Sequence, residues 1–191
     1  LEHYEGDKVA EPAAFVTDAL TFLNERRDAR WVRGAWFLKK ATTFYDTLTP
    51  EIAALVLQST KHLPKIDHQI ERVLALVASR FPGAVWDYFG DRLAMDARRD
   101  GEERFEPIPF RFHGLEKEFS KNPQLAVAKG LAWYSKDSHL FAYRGGRLLS
   151  NAFPHCTPAF ADALSNVVGK GGEVEADFVL DILRNYGGDS S

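Results

Sequence analysis

Apolar residues recur along this chain at the spacing of one helix face. Val16, Ala19, Leu20 and Leu23 stand at i, i+3, i+4 and i+7, and Phe160, Ala163, Leu164 and Val167 repeat the pattern, continued by Val168. Ile66, Ile70, Val73, Leu74 and Val77 form a comparable stripe, as do Val179, Ile182, Leu183 and Tyr186. Stripes of this kind are what a helix buries against its neighbours. No convincing period-two alternation or Asn-Gly hairpin turn marks a strand. The pattern predicts helices at 12–26, 29–46, 50–62, 66–80, 83–97, 114–120, 123–135, 138–152, 158–169 and 173–186.

Prolines punctuate these helices at intervals. Pro12, Pro50, Pro82, Pro123 and Pro158 open alternate helices and lie 38, 32, 41 and 35 residues apart. Proline suits the first helical turn, where its missing N–H would have no partner anyway. Thr49, Asn122 and Thr157 precede three of them and are helix-capping residue types. The intervals match those of two-helix repeats. Two stretches also answer each other directly. Thr49-Pro50-Glu51-Ile52 corresponds to Thr157-Pro158-Ala159-Phe160 at an offset of 108, and 73–77 corresponds to 179–183 at an offset of 106.

From Asp28 through Ala29, Arg30, Trp31, Val32, Arg33, Gly34, Ala35, Trp36 and Phe37 to Leu38, the chain resembles the second helix of a HEAT repeat. That family favours an aspartate, then Val-Arg, then a small residue and a leucine. Asp67 through Leu76 looks like a weaker copy. The resemblance implies an all-α fold, a right-handed α-α superhelix of about five HEAT- or armadillo-like hairpins, and a protein-binding scaffold. Arrays of this family also occur as regulatory regions of large bacterial signalling NTPases. The chain begins at Leu1 and ends in Gly187-Gly188-Asp189-Ser190-Ser191, which we read as the ends of a fragment. The expected division is an extended segment at 1–11, a helical-repeat domain at 12–187 with an irregular insert at 98–113, and a flexible tail at 188–191. Trp31, Trp36, Trp86 and Trp133 are the expected packing anchors.

Composition narrows the function classes. Of 191 residues, 45% are hydrophobic and 27% charged, as in a folded globular protein. The formal net charge of −3 disfavours a dedicated nucleic-acid binder, which needs a basic excess on one face. A single cysteine, Cys156, forbids an internal disulfide and suggests a cytoplasmic setting. No apolar run reaches the roughly 18 residues of a membrane span.

Two regions depart from the repeating pattern. The charged run 98–104 leads into Phe105-Glu106-Pro107-Ile108-Pro109-Phe110-Arg111-Phe112-His113, where two prolines impose an extended path and Ile108, Phe110 and Phe112 are expected to alternate to one side. Its aromatic residues either plug a gap between hairpins or meet a partner, which makes Phe110, Arg111, Phe112 and His113 candidate contacts. The predicted helix 138–152 contains Gly145-Gly146. Gly145 lies on its apolar stripe, as expected where a neighbouring helix approaches closely. On another face, Leu140, Arg144, Arg147 and Asn151 line up at i, i+4, i+7 and i+11. Two arginines and an asparagine there can clamp a carboxylate or phosphate.

Other candidate chemistry reads as ordinary surface. His155-Cys156 has no second ligand pair at zinc spacing. Asp87 and Asp91, one turn apart, are expected on a solvated face. Arg26, Arg30 and Arg33 form a short basic ridge among Glu25 and Asp28. Walker, G-x-S-x-G, H-E-x-x-H and paired C-x-x-C motifs do not occur. The expected function is therefore a non-catalytic protein-interaction or regulatory module without cofactor or metal, whose partner is a protein or the rest of its own chain. A nucleic-acid-binding repeat and an enzyme with a site assembled from distant repeats are the alternatives.

Overall fold

The computed structural model describes residues 10–32, 34, 48–97 and 105–186. Every regular element among them is helical, and the fold is all-α. The longer helices are α1 (Ala10–Glu25), α2 (Pro50–Lys61), α3 (His68–Arg80), α4 (Pro82–Ala97), α5 (Leu115–Phe119), α6 (Pro123–Tyr134), α7 (Ser138–Ala152), α8 (Pro158–Val168) and α9 (Glu173–Arg184). Each predicted boundary falls within two residues of the observed one, except for the helix expected at 29–46. Of that helix, 30–32 form a single 3₁₀ turn, and most of the remainder, with Arg33 and Trp36, lies outside the described residues. Of the segment 1–11 expected to be extended, residues 10 and 11 instead open α1, and 1–9 lie outside the described residues, as do the run 98–104 and residues 187–191.

Local chemistry explains where the helices begin. Thr49 and Thr157 each accept a hydrogen bond through Oγ1 from the backbone N–H three residues on, at 3.3 Å. Asn122 accepts from Leu125 N at 3.1 Å, and Asp67 caps α3 by accepting from Gln69 and Ile70. Pro50, Pro123 and Pro158 fill the first helical turn. Each cap satisfies amides that would otherwise point into nothing, a contribution of about 1 kcal/mol apiece.

Helices α2, α4, α6 and α8 touch in succession, and so do α3, α5, α7 and α9. α6 packs on α7 and α8 on α9 as hairpins, while α4 also meets α7. Aromatic rings fill the middle. Trp86 stacks on Phe119 at 4.1 Å between ring centres, and Trp133 stacks on Phe141 at 5.8 Å. Trp86 and Trp133 are buried as expected, and Trp31 is half-buried. The approach of α4 to α6 depends on Gly90, where a Cβ would stand 2.6 Å from Nε1 of Trp133.

The glycine pair of α7 behaves differently from expectation. A Cβ on Gly145 would meet only Phe141 of its own helix, at 3.4 Å. Gly146 is the position that faces α9, where a Cβ would lie 2.6 Å from Nδ2 of Asn185. The close approach to α9 is thus made at Gly146, one residue after Gly145, while Phe141, Leu148, Leu149 and Ala152 of the apolar stripe are buried. Among the described residues, no helix is long and apolar enough to cross a membrane.

Candidate functional site

Two charged side chains are buried beneath the irregular segment. Arg92 sits on α4 in register with Val85, Tyr88 and Phe89, on the face turned to the core, and its side chain is fully enclosed. Its Nη1 donates to the carbonyls of Lys61 and Leu63, both at 2.8 Å, just past the C-terminal end of α2. Nε donates to Pro107 O at 2.9 Å and Nη2 to Glu106 O at 2.6 Å. One guanidinium thus meets the carbonyl-rich, negative end of a helix and anchors the segment to it. The Phe105 ring lies 4.4 Å from the guanidinium carbon, and Tyr88 flanks it at 5.8 Å. Burial pushes the Tyr88 phenol above its ordinary pKa, while the charge of Arg92 pulls it back.

Glu71 does the complementary work. It lies on the buried face of α3, and its Oε1 accepts from the backbone N–H groups of His113, Gly114 and Leu115 at 2.5, 2.9 and 3.2 Å. These are the orphan amides that open α5. On the other side, Asn151 of α7 donates through Nδ2 to Pro109 O at 3.0 Å and Phe110 O at 3.1 Å. The Glu106 N–H donates to Pro64 O at 2.7 Å. Arg92, Glu71 and Asn151 together supply what a non-helical backbone cannot supply for itself.

Held in this way, the segment forms one wall of an open cleft of about 390 Å³, and α7 forms the other. Phe105, Ile108 and Phe110 line it from the segment, Asp96 from α4, and Arg144 and Arg147 from α7. Arg144 pairs with Asp96. Arg147 lies over the Phe110 ring, 5.1 Å from its centre. Phe110 is 80% exposed, the most exposed large apolar side chain among the described residues. The two regions singled out in the sequence are therefore one place.

Not every candidate residue belongs to it. Phe112 is buried, packing its ring 5.7 Å from Phe89 and 5.8 Å from Phe119, and so serves the core instead of a partner. Arg111 and His113 are exposed on the segment but do not line the cleft. Asn151 acts on the segment's backbone. The side chain of Leu140 lies outside the description.

The remaining motifs resolve into surface chemistry. Asp87 pairs with Lys129 and Asp91 with Lys61, each at 2.5 Å, and both acids line a second open groove of about 490 Å³ together with Ala53, Leu57 and Ala84. Arg30 pairs with Asp28, whose carboxyl is thereby held at about 2, and Arg26 stacks on Phe22 at 3.6 Å. Cys156 is exposed, as is its neighbour His155. Among the described residues, no three His, Cys, Asp or Glu side chains group as metal ligands would.

Glu71 and Arg92 were not among the residues singled out in the sequence. The signal was present, since both stand on apolar stripes at helical spacing, where a charge must find partners or be excluded. Compared with protein-family models, curated proteins and solved structures, the chain matches none of them.

Proposed function

We propose that the chain is a non-catalytic interaction module whose recognition surface is the cleft between the 105–110 segment and α7. The successive contacts of α2, α4, α6 and α8, and of α3, α5, α7 and α9, support an α-α superhelix of HEAT- or armadillo-like hairpins as its scaffold. One observation carries the functional reading. An exposed phenylalanine, on a segment whose backbone is pinned from beneath by buried charge, lines one cleft with two arginines of α7. Aromatic and arginine side chains dominate the energetics of protein interfaces, and a preformed wall lowers the ordering cost of binding. The partner is a protein segment presenting an apolar side chain to Phe110 and a carboxylate to Arg147.

The test is capture from native lysate by the wild-type chain, Phe110→Ser and Arg147→Glu. Both sites are exposed or rimmed by solvent, so melting temperatures should stay within a few degrees of wild type. A protein captured by wild type and lost by both variants is the expected result. Capture that survives both substitutions overturns the assignment. Arg144 is a poorer probe, because reversing it sets two carboxylates together at Asp96.

A further inference from the structure

Seven large apolar side chains stand exposed among the described residues, and four of them, Val168, Val174, Leu180 and Leu183, belong to the last hairpin. Helix α9 buries Phe178, Val179 and Ile182, yet Leu180 and Leu183 remain 52% and 44% exposed. A helix apolar on both sides is built to be covered on both. The internal correspondence of the sequence sharpens the point. In 73–77 the positions equivalent to Leu180 and Leu183 are Leu74 and Val77, which are 0% and 2% exposed within a helix packed by α2, α4 and α5. The same apolar positions that are covered in α3 are uncovered in α9.

The charges around Leu180 indicate the occupant. Glu173, Asp177, Leu180 and Arg184 fall in one narrow arc of the helix, with Ala176 and Leu183 on its flank. The acids lie toward the N-terminal end of this arc and Arg184, 77% exposed, toward the other. Asp181 is already engaged by the Tyr134 hydroxyl at 3.0 Å and by Arg184 at 2.7 Å. Asp177 has no ion-pair partner among the described residues. An antiparallel copy of α9, with Leu180 on the two-fold axis, sets Asp177 of each chain opposite Arg184 of the other and Leu183 against Ala176. A parallel copy would oppose like charges.

We infer that this face of α9 is a self-association surface, through which two copies of the chain form an isologous dimer. Closed two-fold pairing is the commonest way for a single patch to complement itself. At 1.5 Å per residue the helix is about 18 Å long. The patch is therefore smaller than the roughly 800 Å² per partner of a standard interface, and the dimer is weak and concentration-dependent.

Sedimentation equilibrium on the whole chain tests this, with melting temperature followed in parallel. Wild type should pass from monomer to dimer with rising concentration, and Leu180→Asp should remain monomeric while melting like wild type. Asp177→Arg and Arg184→Asp should each weaken the dimer about tenfold, and the double variant should recover it, because the charges then complement again with exchanged signs. A wild type monomeric up to submillimolar concentration, a dimer indifferent to Leu180→Asp, or a double variant no better than the singles would each overturn the proposal.

Discussion

In the hairpins α6–α7 and α8–α9 the helical backbone satisfies its own polar groups, so the side chains need supply only apolar stripes. Ala126, Val127, Leu148, Leu149, Phe160 and Ile182 do this and are buried. The segment 105–114 also turns Phe105, Ile108 and Phe112 inward, but its backbone follows no regular pattern. Its carbonyls and amides must be met by side chains, and the ones that meet them are the buried Arg92 and Glu71, together with Asn151 of α7. Helical repetition is specified by hydrophobicity at a period. A fixed irregular wall is specified by a few polar groups placed where an apolar residue would otherwise stand. Removing a stripe residue opens a cavity, whereas removing a buried charge abandons several backbone groups at once.

The largest break in this comparison should come from Arg92→Met. Carbonyls of Lys61, Leu63, Glu106 and Pro107 lose their donor, and we expect a loss of about 3 to 5 kcal/mol in urea unfolding. Proteolysis at 105–112 should also appear before any in α6–α9. Glu71→Ala should cost about 2 to 3 kcal/mol by orphaning three amides, and Glu71→Gln, which keeps an acceptor oxygen, should recover much of that.

Smaller effects probe the regular side. Gly90→Ala forces a Cβ against the Trp133 indole and should cost about 1 to 2 kcal/mol, even though alanine is the better helix former. Melting temperature against wild type reads this out. Thr157→Ala removes the cap of α8 and should cost about 1 kcal/mol, with early fraying seen by amide exchange in the first turn of that helix.

The regular half was legible from the sequence for a physical reason. Stripes such as Phe160, Ala163, Leu164 and Val167 and caps such as Thr157-Pro158 act through neighbours a turn away, so spacing alone reveals them. The cleft was only half legible. Arg144, Arg147 and Phe110 stood out as a stripe and an aromatic, but nothing local indicates that residues 34 to 37 positions apart line one cleft. Phe110 and Phe112 would share one face of an extended backbone, but the segment bends at 110–111, held from two distant helices by Glu71 and Asn151, so Phe112 is buried while Phe110 is exposed. Gly145 and Gly146 show the same limit at finer scale, since both are buried and spacing along α7 does not say which of them meets α9.

Amide hydrogen exchange, resolved residue by residue, tests most directly whether buried charge holds the segment as a fixed wall. The Glu106 amide is bonded to Pro64 O, and those of His113, Gly114 and Leu115 to Glu71. We predict that all four are protected to the level of the α3 and α4 amides and lose that protection together in Glu71→Ala or Arg92→Met. Exchange of these amides at the rate of an unstructured loop, while α3 and α4 stay protected, would contradict the account.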